Sequence, residues 1–173
     1  MNKENSTNNI ETPQFLIDPS ASADTVFAVK EAYKTIRTNL SLSLKGDGCK
    51  KVVITSSLPS EGKTTTAINL AIALSMVDKR VLLVDTDLRK RRISKIVKLR
   101  HTTGLTDILK GEINFEDTVN FTMYPNLHIL SAGSSVVNPA EFLASVSFKE
   151  LIDSISDRYD YIIYDATPIN IVS

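Results

Sequence analysis

Lys63, Thr64, Asp85, Asp87 and Asp165 carry the chemistry this sequence can offer. Lys63 and Thr64 close the stretch 55-TSSLPSEGKTTTA-67, which follows a β-branched run and leads into an apolar-periodic segment. Gly-Lys-Thr between a strand and a helix has a mechanical meaning. Backbone N–H groups turn inward around phosphate oxygens, and the helix N-terminus adds partial positive charge. The lysine then reaches the outer phosphates of a nucleotide, and the threonine hydroxyl binds Mg2+. The general pattern asks for glycine at position 57, where this chain has Ser57, and Pro59 lies inside the loop. On the loop alone, an ordinary polar turn stays open as the alternative.

The acids narrow that choice. In 83-LVDTDLR-89, Asp85 and Asp87 stand at the end of a buried apolar run, and in 163-IYDATP-168, Asp165 ends another. Ligands of open parallel sheets sit beyond the carboxyl ends of the strands, where the three carboxylates can converge on the loop. Singly, each has a blander reading as a turn former or helix cap.

These residues need an alternating frame to hold them. Val26, Val29, Tyr33, Ile36 and Leu40 share one face of a helix expected over residues 25–42. Short runs at 51–55, 80–85, 126–130 and 161–165 read as strands, the first two flanking a helix that carries Ala67, Leu70, Ala71 and Leu74. Asn138-Pro139-Ala140-Glu141 reads as a helix start, with Asn138 as cap, and helical character continues to about Asp157 with a break near residues 145–147. Residues 1–24 are polar, with Pro13 and Pro19, and are expected to form a flexible arm before a single domain at 25–173.

Composition excludes several classes of function. Of the 173 residues, 42% are apolar and 23% charged, and 20 acidic residues cancel 20 basic ones, so no bulk field draws the chain to nucleic acid or an anionic membrane. No run approaches the roughly 20 apolar residues that span a bilayer, and the first residues lack the apolar core of a signal peptide. The single cysteine, Cys49, forms no intrachain disulfide, and a reducing cytoplasm is the default. His101 and His128 lack metal-ligand companions at useful spacing, and the basic run of Arg89, Lys90, Arg91, Arg92, Lys95, Lys98 and Arg100 reads as a solvated helix face.

Together, the loop, the Asp-x-Asp-x-Arg and the Asp-x-x-Pro resemble the Walker A, A′ and B motifs of bacterial tyrosine kinases linked to capsule and exopolysaccharide synthesis. The form 59-PSEGKT-64 is part of that resemblance, as are 31-EAYKTIRTN-39, 104-GLTDILKG-111 and 138-NPAEFLAS-145. The resemblance covers residues 25–172. Leu58 stands where related partition and division-site ATPases carry a second lysine. The implied fold is α/β, a mostly parallel sheet flanked by helices, that is, a P-loop NTPase of the MinD/ParA-like class. The family pattern continues past Asp-x-x-Pro with further strands, helices and a tyrosine-rich tail, so the expected architecture is one truncated at the C-terminus.

The resemblance implies ATP and Mg2+ as cofactors. Ser60, Glu61, Gly62, Lys63, Thr64 and Thr65 would hold the phosphates; Thr64, Asp85 and Asp165 would hold the metal or its waters; Asp87 would orient or deprotonate the acceptor tyrosine. It also implies a membrane adaptor that activates the kinase, a cognate tyrosine phosphatase, no nucleic acid, and a cytoplasmic location at the inner face of the membrane. Glu31, Lys34 and Arg37 match the family's self-association pattern, Glu-x-x-Arg-x-x-Arg, with a lysine replacing the first arginine's planar fork. Of Tyr33, Tyr124, Tyr159, Tyr161 and Tyr164, the last two read as packing residues of a strand rather than acceptors. The rival readings are a MinD/ParA-like ATPase switch and a catalytically incomplete interaction module.

Overall fold

The computed structural model describes residues 15–99 and 103–170. Pro13, Arg100 and His101, weighed above, lie outside the described residues. The elements run α1 (Ala23–Ser43), β1 (Lys50–Ile54), α2 (Lys63–Ser75), β2 (Val81–Asp85), α3 (Arg92–Ile96), α4 (Leu105–Leu109), α5 (Phe115–Thr118), β3 (Asn120–Phe121), β4 (Leu127–Leu130), α6 (Pro139–Leu143), α7 (Val146–Ser156) and β5 (Tyr161–Asp165).

The strands form one sheet in the order β1-β5-β2-β4-β3, parallel except for β3 against β4. β2 and β5 lie inside the sheet, and every residue of both is buried, which explains why they read as unbroken apolar runs. α2 lies on one face, packing with Val81, Leu83, Ile129 and Ile163, and α1 covers it from outside. Leu82, Val84, Leu130 and Ile162 face the other way, toward Leu105, Ile152 and Ile155 of α4 and α7. The sheet is thus a middle layer with helices on both sides.

Sequence expectations and structure differ in places. Asn138 precedes Pro139 as expected, yet its side chain makes no capping bond; the capping side chain in this region is Ser145, whose hydroxyl accepts from the Phe148 N–H and starts α7 as a separate helix. The basic run is only partly a helix face. Arg91 sits in the left-handed region (φ 47°) before α3, donating Nη1 to the Gly133 carbonyl. In the stretch expected to be an arm, Leu16 is docked on α2: its N–H donates to Asn69 Oδ1 (2.6 Å) and its carbonyl accepts from Asn69 Nδ2 (3.1 Å). The neighbouring Phe15 ring packs on Tyr33, 5.9 Å between centroids.

Of the residues weighed for self-association, Lys34 pairs with Glu31 along α1, while Arg37 donates to the Ala73 carbonyl of α2. Among the described residues no helix is long and apolar enough to cross a membrane. His128 takes a structural place, its Nδ1 2.9 Å from the Tyr159 hydroxyl and its ring edge-on to Phe121. Beside the outer strand β1, Val53, Leu143, Phe148, Ile152 and Tyr164 line an apolar groove of about 490 Å³.

Candidate functional site

The site grows from the ends of three strands. β1 leads into residues 55–62, a loop with no regular structure, and α2 begins at Lys63. Gly62 is the N-cap of α2 with φ 85°, a conformation that glycine reaches without strain. A side chain there meets nothing within 4 Å, so the requirement lies in the backbone alone. Ser60 also has positive φ (68°), and the Leu58 N–H donates to Glu61 Oε2 (3.0 Å), a brace across the turn. Strained residues of this kind concentrate where a backbone is shaped for a ligand.

Parallel register puts Asp85 and Asp165 side by side at the carboxyl ends of β2 and β5. The Thr86 N–H and hydroxyl both donate to the Asp165 carbonyl (3.0 and 2.9 Å), tying the two strand ends together. Lys63 crosses to them from α2, its Nζ 3.2 Å from Asp87 Oδ2 and 3.7 Å from Asp165 Oδ1. All three groups are buried; Lys63 is only 6% exposed and Asp165 fully enclosed. Asp87 is further fixed by the Lys90 N–H on its other oxygen (3.1 Å).

Asp85 is held differently. Its Oδ1 accepts from the Asp87 N–H and its Oδ2 from the Ile93 N–H, each at 3.1 Å. Burial, with the Asp165 charge beside it, pushes its carboxyl up to about 7, against the pull of those N–H donors. Burial also raises the Asp165 carboxyl, opposed by the Thr64 hydroxyl and the Lys63 ammonium.

The buried Thr64 hydroxyl faces the buried Asp165 carboxylate, yet neither the hydroxyl nor either carboxylate oxygen has a hydrogen bond of good geometry among the described residues. Buried polar atoms are normally paired, and leaving one dry costs about 1–3 kcal/mol. A hydroxyl and a carboxylate left bare beside a phosphate-type loop are the donor set of a hard cation. Among the described residues no three acid, histidine or cysteine side chains converge as a ready-made metal cage. Mg2+ binds through one or two protein oxygens and the phosphates of its substrate, and the Thr64 hydroxyl and Asp165 carboxylate offer oxygens of that kind.

The structure thus brings Lys63, Thr64, Asp87 and Asp165 together, with Asp85 adjacent but bound to backbone. Ser60 and Glu61 lie in the exposed part of the loop, and Thr65 is half-buried in the first turn of α2. Sequence reasoning passed over Thr86 and the Leu58–Glu61 brace. A hydroxyl between two strand-end acids was the available signal for the former; the latter has no sequence signal apart from its spacing. The tyrosines of β5 pack as expected: Tyr161 and Tyr164 are buried, and burial raises the Tyr164 phenol.

Comparison with known proteins places this geometry. Residues 49–172 match the family described as AAA domain. Tyrosine-protein kinase YwqD of Bacillus subtilis is 41% identical over 139 residues, 80% of this chain and 59% of that protein. The kinase domain of Escherichia coli tyrosine kinase ETK superposes with a TM-score of 0.80 at 26% identity, over 96% of this chain and 62% of that one. The septum site-determining protein MinD of Pyrococcus horikoshii, complexed with Mg-ADP, gives 0.58 at 30% identity, over 68% and 48%. The chain therefore spans about three fifths of the length of the first kinase relative it matches. By its sheet order, its loop and these matches, the chain belongs to the AAA-domain family and is similar to proteins named as bacterial tyrosine kinases.

Proposed function

We propose that the chain is the nucleotide-binding domain of an ATP- and Mg2+-dependent protein-tyrosine kinase acting in capsular polysaccharide or exopolysaccharide synthesis. One observation supports this most: Lys63 lies buried across Asp87 and Asp165, beside a Thr64 hydroxyl with no well-formed hydrogen bond among the described residues. When bound, Mg-ATP supplies the transferable phosphoryl group and much of the charge neutralisation around it.

The protein's own residues have separable tasks. The backbone of residues 60–65 and Lys63 would hold phosphate oxygens; Thr64, Asp165 and Asp85 would hold the metal or its waters, while Asp85 also fixes the turn at Asp87. Asp87 would orient the acceptor tyrosine hydroxyl and take its proton, the role of a base in phosphoryl transfer. Among the described residues, Asp87 Oδ2 accepts from Lys63 and its Oδ1 from the Lys90 N–H, which fix the carboxylate's orientation for that role. Positioning and electrostatics supply most of the acceleration in such transfers.

The expected partners are a membrane adaptor with an activating cytoplasmic segment, a cognate tyrosine phosphatase and further copies of the chain through α1. They rest on the sequence resemblance, as does peripheral placement at the inner face of the membrane.

Incubation with Mg2+, ATP and the adaptor's cytoplasmic segment should yield phosphotyrosine. Lys63→Met should abolish both nucleotide binding and transfer, and retention of both would remove Lys63 from the site. Asp87→Asn should lower transfer by about 100-fold while changing nucleotide affinity little; equal losses in both would refute its role as base. ATP hydrolysis without phosphotyrosine would favour the switch-ATPase reading, to which the MinD likeness lends weight. Absence of nucleotide binding in calorimetry would favour a non-catalytic module.

A further inference from the structure

We infer that Lys63 is an internal counter-ion that blocks the divalent-cation site until phosphate draws it away. Metal binding is then coupled to nucleotide binding by competition between two cations for one pair of carboxylates. The inference rests on the nucleotide site proposed above and concerns how that site is regulated.

Asp85, Asp87 and Asp165 crowd the ends of two adjacent strands, and Lys63 forms ion pairs with two of them. Its ammonium lies within 4 Å of two of the carboxylates and is almost wholly screened from solvent. At such distances and burial, a like-charged ion sharing those oxygens is repelled more strongly than it would be in water. A divalent ion seeking Asp165 and Thr64 therefore meets Lys63 already there.

The same lysine is the group that a phosphate-binding loop directs toward outer phosphates. When Lys63 turns to a phosphate, Asp87 and Asp165 lose their counter-charge together, and the oxygens of Asp165 become attractive to a metal. Linkage is reciprocal: whatever the nucleotide adds to metal affinity beyond its own contacts, the metal adds to nucleotide affinity. The expected consequence is a protein that ignores free Mg2+ and takes the metal only with its nucleotide.

The test uses metal alone, so it does not depend on whether nucleotide binds. Mn2+ binding to the full chain is followed by the loss of the free-ion electron paramagnetic resonance signal, with no nucleotide present. Wild type should bind weakly, and Lys63→Met should bind at least about tenfold more tightly, within the 5–150-fold range of ordinary coupling. Asp165→Asn in the Lys63→Met background should erase the gain. Lys63→Gln, which keeps a hydrogen-bond donor but no charge, carries the same expectation if the methionine variant does not fold. Equal or weaker Mn2+ binding in the folded charge-free variant overturns the inference, as does a gain that survives Asp165→Asn. A wild-type protein that binds no Mg-ADP would instead undo the proposed function, leaving the metal-alone comparison intact.

Discussion

Two buried carboxylates show opposite ways to use an acid. Asp107, in the first turn of α4, has its bonding filled by its own fold. Its Oδ2 accepts from the Gly104 N–H (2.7 Å) and the Ser134 N–H (3.2 Å), and its Oδ1 accepts from the Ser134 hydroxyl. Asp165, at the end of β5, has neither oxygen in a hydrogen bond of good geometry among the described residues and relies on a lysine at 3.7 Å. Both are buried, and they lie in one sheet-and-helix framework. The difference teaches that saturation, more than burial, separates an acid that builds the protein from one held for a ligand.

That contrast is broken most decisively at Asp165. Asp165→Asn should lower phosphoryl transfer by about 100-fold or more while leaving the melting temperature equal or higher, because a dry buried charge is replaced by a neutral group of the same shape. A melting temperature that falls as far as for an Asp107 variant would show that Asp165 is structural too. Asp107→Ala should do the reverse. It strands the Gly104 and Ser134 N–H groups and should cost about 3 kcal/mol in urea unfolding, with nucleotide affinity preserved once the variant is folded.

A smaller effect sharpens the comparison from the backbone side. Gly133 has φ 86°, and a methyl group there would lie 2.6 Å from Asp107 Oδ2. Gly133→Ala should therefore destabilise by about 2 kcal/mol. The Asp107→Ala/Gly133→Ala double variant should lose less than the sum, because one change removes the atom that the other strikes.

The smallest effect sits at the surface. Arg80 donates to both oxygens of Asp160 and holds that carboxyl below its ordinary value. The stabilisation is present in full above the unfolded carboxyl's ordinary value near 3.8 and is lost as pH falls through the lowered one. Melting temperatures of wild type and Arg80→Ala should thus differ slightly at neutral pH and converge in acid. A gap that widens in acid would contradict the assignment. Both partners are partly exposed, so salt should shrink the difference.

Much of the frame was legible in the residues. β2 and β5 are buried on both faces, so their unbroken apolar runs, each closed by aspartate, gave type, position and chemistry together. Asp107 was not legible in this way. It lies in 104-GLTDILKG-111, where resemblance marks a motif but nothing local states that Gly104 and Ser134 need an acceptor. β3 escaped because two residues carry no period, and its pairing with β4 is decided by tertiary contact. Asn138 looked like a cap because caps are chosen by residue type, whereas the bond depends on backbone angles, here φ −117° and ψ 76°. Leu16 escaped because a short apolar island in a polar stretch acquires meaning only through Asn69, 53 positions away.

That last contact sets a practical boundary on how short the molecule can be made. The Asn69 amide is enclosed on α2, the helix whose first residue is Lys63, and among the described residues its two bonds run to the main chain of Leu16. A version starting after Ile17 would leave a dry amide against the helix that presents the lysine. Its weakened nucleotide binding could then be mistaken for a catalytic defect.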